Sequence, residues 1–440
     1  EKQKWEESIL CYEKLLELKP WQKEQIEQCL SLGELLVNQN KLNIEEHYLK
    51  LGNALQKQGK LFEAVEFYHK IIELNKSYQQ KLSIFIANKE EICKINIASN
   101  DRIIFSQIYP EKTFLLHSPK TVHSTIEPKL LGRESREENS SVVVIPNASM
   151  WISDARAIAI ASSEDEILIK DVFHGPDLNS LPVKKLPPAL ELDEPTVFLS
   201  VRWGHNYSHW MLGLLPKIGL LQESGINLKS IGKFVVSSQS ERPFQRETLE
   251  ILGIPSDRIV ESMKYPYIKA KTLIVPKLFA KLGQFGIISR WGYEFIKKEF
   301  IKPGIKKDLE TFNGIYISRQ DAPTRRVINE SEVVNFLSKF GIRSVTLTSM
   351  SIREQALLFA SAKVVVGSHG AGLSNLLFCH QGTKVIELIP QNDIRICYYV
   401  LSNRCELDYY YLLGKSVTPQ QDFKVNLDLL SELMKLAGLS

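Results

Sequence analysis

Three segments of the chain hold most of the side chains that can do chemistry. The first, GHNYSHWMLGLLPK at residues 204–217, places two histidines, His205 and His209, close to Asn206. Because a histidine can take a proton from a hydroxyl group near neutral pH, either one is a candidate general base. Histidine and asparagine also cap helices, so a structural role is the alternative for both.

A glycine-rich loop, GSHGAG at residues 367–372, follows an apolar run that predicts a strand. Gly370 and Gly372 have no Cβ atom, so backbone N–H groups can approach a ligand there. A helix that begins near Gly372 would direct its positive end to the same place. The loop therefore predicts contact with a phosphate group around His369, and a satisfied loop histidine is the alternative.

Arginines surround the end of an earlier strand. The segment SRQDAPTRRVINE contains Arg319, Arg325 and Arg326 within eight residues. A guanidinium is always ionised and its fork matches phosphate oxygens, so the cluster favours a pyrophosphate group; a solvated basic loop is the alternative. Glu387, near the end of a later strand, is either an acceptor for a ribose diol or a surface carboxylate. A nucleoside diphosphate suits these residue types together.

Other ligand classes are disfavoured. The sequence has no D-x-D pair and no H-E-x-x-H motif, so we expect no catalytic metal and no other cofactor. The loop order G-x-x-G-x-G after an internal strand differs from the dinucleotide order G-x-G-x-x-G after a first strand. A nicotinamide oxidoreductase is therefore the weakest function considered.

Alternating strand and helix patterns would bring these residues together. From about residue 97 short β-branched runs alternate with helical stretches, and residues 132–141 form a predicted charged loop. The alternation is cleanest near the C-terminus, with strands expected at residues 314–318, 343–347, 363–367 and 384–388. This pattern predicts a parallel sheet covered on both faces, whose ligands bind beyond the carboxyl ends of the strands.

The first ~95 residues have helical periodicity and no strand pattern. Residues 47–77 have the spacing of a tetratricopeptide repeat of about 34 residues. Gly52 and Ala64 are small residues, and we expect the two helices of the repeat to cross closely there. Stacked helix pairs form a surface for a protein partner, and a helical cap on the next domain is the alternative.

Composition and charge limit the remaining possibilities. The chain has 440 residues, 44% hydrophobic and 24% charged, as in globular domains. A net charge of +4 does not suggest nucleic-acid binding. Six scattered cysteines form no C-x-x-C pair, which fits a reducing, cytoplasmic compartment, and no membrane span is predicted. The change of pattern near residue 95 and a boundary at Pro303 and Gly304 divide the chain into residues 1–95, 96–303 and 304–440.

In order and spacing, three segments resemble glycosyltransferase family 61: GHNYSHWMLGLLPKI, YISRQDAPTRRVINESEVV and EQALLFASAKVVVGSHGAGLSNLLFCHQGTKVIELIP. The resemblance implies an α/β fold of GT-B type, with two Rossmann-like lobes and a cleft between them, here preceded by the all-α tetratricopeptide-like segment. It also implies inverting, metal-independent transfer of a sugar from a nucleotide-sugar donor, usually a UDP-sugar, to a glycan or protein acceptor.

On the family pattern the C-terminal lobe holds the nucleotide sugar and the N-terminal lobe holds the acceptor. The residues implied on the nucleotide side are Ser318, Arg319, Arg325, His369, Gly370, Ala371, Gly372, Asn375 and Glu387. Those implied on the acceptor side are Asn206, Tyr207 and Trp210, with His209 or His205 as the catalytic base.

One position departs from the family pattern. Related sequences usually place an aspartate four residues after His209, where this chain has Gly213. If that aspartate is the base elsewhere, this protein uses a histidine or is inactive. A non-catalytic scaffold that binds nucleotide sugars or glycans and acts through its repeats is therefore the second hypothesis. A tetratricopeptide array ahead of such a domain resembles bacterial members more than plant ones.

Overall fold

The protein has a mixed α/β fold with two large sheets and an N-terminal group of helices. The structure, a computed structural model, describes residues 2–17, 23–57, 61–82, 84–99, 101–137, 139–153, 157–162, 187–201, 203–238, 242–277, 288–301 and 312–439. Within these ranges no helix is long and apolar enough to cross a membrane. The boundary expected at Pro303 and Gly304 lies outside the described residues, so the division at residues 95 and 303 stays a prediction.

Four helices lie at the N-terminus: α1 (Lys2–Glu17), α2 (Lys23–Asn38), α3 (Ile44–Lys57) and α4 (Leu61–Leu74). Gly52 lies against the ring of Tyr68, and a Cβ atom at Gly52 would come 2.5 Å from that ring. The close crossing expected there is confirmed, whereas the assignment of these helices to tetratricopeptide repeats stays a prediction. The expected absence of strands before residue 95 is wrong, because Ile84–Ile86 form a strand. A strand of three residues is too short to show an alternating pattern in the sequence.

The first sheet is mixed. The strands of this half are β1 (Ile84–Ile86), β2 (Ile103–Tyr109), β3 (Lys112–Leu116), β4 (Arg133–Glu137), β5 (Ser140–Ser153), β6 (Ala157–Ser162), β7 (Leu190–Leu192), β8 (Thr196–Phe198), β9 (Lys233–Val236), β10 (Ile259–Glu261) and β11 (Tyr267–Lys277). Their order in the sheet is β1-β2-β5-β11-β8-β9-β10, with β6 beside β5 and β7 beside β11. β8, β9 and β10 run parallel, but β5 is antiparallel to both β2 and β11.

The helices of this half are α5 (Lys89–Ile92), α6 (Tyr207–His209), α7 (Leu215–Ser224), α8 (Pro243–Ile251) and α9 (Arg290–Phe300). A π-helical turn, Trp210–Leu214, joins α6 to α7. This continuous helical stretch begins just beyond the carboxyl end of β8 and carries the side chains predicted to act on the acceptor.

The second sheet has the expected parallel strands. They are β12 (Gly314–Ile317), β13 (Ile342–Val345), β14 (Val364–Ser368), β15 (Lys384–Pro390) and β16 (Asp408–Ser416), in the order β13-β12-β14-β15-β16, and the short β17 (Phe423–Lys424) is antiparallel to β16. The helices are α10 (Glu330–Ser338), α11 (Ile352–Ser361), α12 (Cys397–Arg404) and α13 (Leu427–Leu436). The short helix expected after the glycine-rich loop is a 3-10 helix, Ala371–Phe378.

Residues 112–137 dock on the second sheet, and we call them the strap. β3 and β4 pair as a hairpin, so the charged loop predicted from residue 132 is wrong over Arg133–Glu137. The backbone of Lys120 pairs with β16, donating to the carbonyl of Tyr409 at 3.1 Å. Glu137 forms a 2.9 Å ion pair with Arg404 of α12, and both side chains are largely buried. The strap therefore ties the first half to the second sheet.

A shared hydrophobic core reinforces this connection. Buried side chains from both sheets, among them Val144 and Ile274 of the first and Ile315 and Val365 of the second, belong to one cluster. Apolar burial of this kind is the main favourable term in folding. Apolar side chains therefore join the two sheets in one core.

The ion pair of the strap gives a test of this connection. We expect Glu137→Gln to lower the free energy of unfolding by about 3 kcal/mol, because the largely buried Arg404 loses its counter-charge. Glu134→Gln, at an exposed position of the same strand, should change it by less than about 0.5 kcal/mol. Urea unfolding of both variants measures the difference, and equal stabilities would mean that the strap is not held by this pair.

Candidate functional site

A cavity of about 660 Å³ lies where the first half, the strap and the second sheet meet. Its walls come from the strap, the start of α6, the loop after β14 with Arg325, and the segment leading into α12. The lining residues are Lys129, Arg133, Asn206, Ser208, His209, Arg325, His369, Gly370, Ala371, Ile394, Arg395, Ile396, Cys397 and Tyr398. Of these described lining residues, four are lysine or arginine and none is acidic, so the cavity suits an anion.

The structure brings together part of the set predicted from the sequence. Six predicted residues line the cavity: Asn206, His209, Arg325, His369, Gly370 and Ala371. They come from three segments, residues 206–209, Arg325 and residues 369–371. The carboxyl-end rule for parallel strands had placed the last two segments at one edge of the second sheet. Neither Ser318 nor His205 lines it, and His205 is exposed.

His369 is held from behind by a carboxylate. Its Nδ1 lies 2.5 Å from Oε1 of Glu387, and the hydroxyl of Tyr409 donates to Oε2 of Glu387 at 2.5 Å. Burial lowers the pKa of His369, but the Glu387 charge and hydrogen bonds to Glu387 and Cys397 outweigh it and raise the pKa to about 9. The ribose contact predicted for Glu387 is wrong, because this side chain has no exposed surface and both oxygens are occupied.

Arg325 forms the next part of the wall. Its Nε donates to the carbonyl of His369 at 3.0 Å, and its Nη1 pairs with Asp393 at 3.1 Å. Arg395 donates to the other oxygen of Asp393 at 2.9 Å. Burial raises the pKa of Asp393, but Arg395 and Arg325 outweigh it, so the pKa is lowered. The backbone of Arg325 has φ 57°, a left-handed conformation that is costly for a residue with a Cβ.

Arg319 lies under the glycine-rich loop rather than in the cavity wall. Its Nη2 donates to the carbonyl of Thr324 at 2.9 Å, its Nε is buried without a hydrogen bond, and among the described residues it forms no ion pair. A Cβ atom at Gly370 would overlap its Nη1. A side chain at Gly370 would therefore displace the guanidinium of Arg319, and burial together with the charge of Arg325 lowers the pKa of Arg319.

Two further residues predicted on the nucleotide side have structural contacts instead. Ser318 donates to Glu330 at 3.1 Å, so its hydroxyl is used within the fold. A Cβ atom at Gly372 would come 2.9 Å from Leu347, so this glycine serves core packing and not the approach of a ligand.

The acceptor-side prediction is wrong for the two aromatic residues. Tyr207 donates to Asn375 at 2.6 Å, and the amide of Asn375 donates to Gln355 at 2.8 Å, so this chain joins the start of α6 to the second half. Trp210 is fully buried and donates to Thr248 at 2.8 Å. Asn375, expected at the nucleotide, is equally buried. These side chains position the site from behind and do not line it.

Asn206 and His209 remain at the cavity. The side chain of Asn206 accepts from the backbone N–H of Ser208 at 2.9 Å, so it also caps α6.

Gly213 has room for a side chain, since a Cβ atom there would meet only Val201, at 3.7 Å. Backbone crowding does not account for the glycine at this position.

Several lining residues escaped the sequence analysis. Lys129 and Arg133 reach the cavity because the strap docks on the second sheet, a contact between distant segments that no local pattern reveals. Arg395 and Cys397 lie beyond the last predicted strand, at residues 384–388. The run from Asp393 to Cys397 directly follows β15, and the carboxyl-end rule applied to that strand would have pointed to it.

Comparison with known proteins finds similarity over part of this chain. A family model described as Glycosyltransferase 61 matches residues 207–386. The β-1,2-xylosyltransferase RCN11 of Oryza sativa subsp. japonica is 26% identical over 148 residues, 30% of this chain and 27% of that protein. A β-1,2-xylosyltransferase of Arabidopsis thaliana is 27% identical over 198 residues, 37% and 35% of the two chains. This chain thus spans 27% and 35% of the lengths of these relatives.

Likeness to solved structures is weak. The iron-containing dodecameric glycosyltransferase TibC from enterotoxigenic E. coli H10407 aligns with a TM-score of 0.24 and 9% identity, over 63% of this chain and 82% of that chain. The flavodiiron protein from Giardia intestinalis gives a TM-score of 0.21 and 12% identity, over 44% and 46%. Neither score carries an argument about fold or function.

The contact between Tyr207 and Asn375 gives a test of the corrected roles. We expect Tyr207→Phe to lower the free energy of unfolding by about 1–3 kcal/mol, because Oδ1 of the buried Asn375 loses its donor. The same change at Tyr265, which is 47% exposed, should have little effect. Thermal and urea unfolding compare the two, and an unaltered stability of Tyr207→Phe would contradict the structural assignment.

Proposed function

Since residues 207–386 carry a glycosyltransferase 61 domain, we propose that the protein is a glycosyltransferase that moves a sugar from a nucleotide-sugar donor to a hydroxyl group of a glycan or protein acceptor. The observation that carries the proposal is the cavity, in which predicted donor-side and base residues of two distant segments meet. The proposed donor is a UDP-sugar. The proposed transfer inverts the configuration at the anomeric carbon and needs no metal ion. A GT-B pair of lobes and a protein partner for the tetratricopeptide-like helices complete the proposal.

The donor would lie with its diphosphate against the second half. Arg325 and His369 line the cavity, and each is already oriented by a carboxylate, Asp393 and Glu387 respectively. Arg319, beneath Gly370, holds a positive charge without an ion pair among the described residues, which favours a bound anion nearby. Charge-assisted hydrogen bonds contribute roughly 1.5–3 kcal/mol each. A diphosphate is the common group that can use several of them at once.

The reaction would take place between the diphosphate and His209. His209 would take the proton of the acceptor hydroxyl as its oxygen forms a bond to the anomeric carbon. The bond from that carbon to the diphosphate oxygen breaks at the same time, and its electron pair leaves with the phosphate. Arg325 and His369 would stabilise the charge that develops there, and the two walls of the cavity would hold both substrates in line.

The non-catalytic alternative is not favoured. It rested on Gly213, and the two plant relatives are named as xylosyltransferases. His209 lines the same cavity as the arginines, so the chain has a candidate base without the family aspartate.

Nucleotide binding is the first test. We expect UDP or a UDP-sugar to raise the melting temperature of the protein, since a ligand that binds only the folded state stabilises it. Arg325→Ala should weaken that binding at least ~10-fold, the size of one charge-assisted hydrogen bond. Arg326→Ala is the matched control, because its guanidinium pairs with Asp422 instead of lining the cavity. Absence of any nucleotide effect, or equal binding by Arg325→Ala, would refute the donor site.

The identity of the base is the second test. Hydrolysis of the nucleotide sugar that stabilises the protein most can be followed with water as acceptor. We expect His209→Gln to reduce turnover by at least ~100-fold, as for loss of a general base, while the affinity for the donor is retained. His205→Gln, at an exposed position outside the cavity, should keep wild-type turnover. Full activity of His209→Gln would exclude this histidine as the base.

A further inference from the structure

A carboxylate lies one layer behind the cavity, where no ligand can reach it. Glu387 has no exposed surface, and its oxygens are occupied by His369 Nδ1 and the Tyr409 hydroxyl, each at 2.5 Å. An ionised carboxylate buried in this way is costly unless neighbouring groups donate to it or carry the opposite charge. The arrangement requires Tyr409 to donate to one oxygen and His369 to donate to the other.

This requirement determines the protonation of the imidazole. An ionised carboxylate only accepts hydrogen bonds, so the proton between the two groups lies on Nδ1 of His369. The second ring nitrogen, Nε2, lies on the other side of the ring, 3.7 Å from Sγ of Cys397, which lines the cavity. The charge of Glu387 favours a second proton on Nε2. The raised pKa of His369, about 9, agrees with this geometry.

The other groups packed around His369 do not remove this charge. Tyr398 of α12 lies with its ring centroid 4.9 Å from the imidazole, and burial raises the pKa of its hydroxyl. Arg325 contacts the backbone carbonyl of His369 at 3.0 Å and directs its charge to Asp393. The pKa of Tyr409, also buried beside Glu387, is raised well above its usual value. Among the described residues, Glu387 is therefore the carboxylate that pairs with the imidazole of His369.

We propose that Glu387, supported by Tyr409, is a positioning residue that holds His369 as a fixed cation, with Nε2–H directed into the cavity to bind the diphosphate of the donor. The inference rests on the proposed function. It assigns a role to two buried side chains, Glu387 and Tyr409, that do not touch the substrate themselves.

The role of this cation would be electrostatic. As the bond between the anomeric carbon and the diphosphate oxygen breaks, negative charge accumulates on the phosphate. Nε2–H of His369 donates a hydrogen bond to that charge and keeps its proton, so no proton transfer accompanies the step. A preorganised cation requires no reorganisation when the charge appears, which is how such groups lower a barrier. Glu387 maintains the imidazolium at pH values where a free histidine is neutral.

The test is the pH dependence of nucleotide binding. Titration calorimetry measures the affinity for UDP between pH 6 and 10 in the wild type and in Glu387→Gln. The ratio of the two affinities at each pH removes the effect of the nucleotide's own titration. The wild type should keep its affinity up to about pH 8 and lose it as the pH rises through 9, the pKa of the imidazolium. Without the carboxylate, burial disfavours the cation, so Glu387→Gln should bind at least ~10-fold more weakly at pH 8.

Two controls separate positioning from general damage. Glu261→Gln removes a buried carboxylate that pairs with Lys264 at 2.6 Å outside the cavity, and it should leave the pH profile of binding unchanged. In a His369→Ala background, Glu387→Gln should cause no further loss of affinity, because its effect passes through the imidazole. An unchanged profile in Glu387→Gln, or full additivity with His369→Ala, would overturn the inference.

A second measurement does not depend on any variant folding. NMR of the wild type labelled in its histidine rings, with the His369 signals assigned, should show that imidazole doubly protonated at pH 8. Titration of His369 near pH 6.5 would overturn the inference even if UDP binds. If the wild type binds no nucleotide but His369 is doubly protonated at pH 8, the charged pair stands, and the proposed function fails together with the assigned role in binding diphosphate.

Discussion

A carboxylate without exposed surface must be neutralised by its neighbours, and much of the site follows from this constraint. Glu387 occupies β15 of a parallel sheet, paired in register with Gly367 of β14 and Tyr411 of β16. The donors that reach it are His369, which directly follows the last residue of β14, and Tyr409 of β16. Once His369 is held, its carbonyl accepts from Arg325. The cationic wall is thus organised from inside the sheet.

The opposite wall depends on packing between distant segments. The strap places Lys129 and Arg133 at the cavity only because its backbone pairs with β16 and Glu137 pairs with Arg404. The bond between Tyr207 and Asn375 places the start of α6, and with it His209, next to the second half. A shared core and a few buried polar contacts therefore bring the two walls of the cavity together.

The sequence predicted the second sheet well, because its β-branched runs and intervening helices have clear periods. The carboxyl-end rule then led to Arg325 and His369, and both line the cavity. It did not locate Glu387, because a residue near the end of a strand can point inward, and its partner lies eighteen positions away. Tyr207 and Asn375 are 168 positions apart, and no local pattern shows such a contact. Lys129 and Arg133 were missed for the same reason.

The most direct measurement is a crystal structure of the protein with UDP or the nucleotide sugar that it binds most tightly. We predict that both phosphates lie in the cavity between the strap and the second sheet, within hydrogen-bond distance of His369 Nε2 and Arg325. His209 should lie on the side of the sugar. A nucleotide bound elsewhere, or phosphates that contact neither residue, would contradict it.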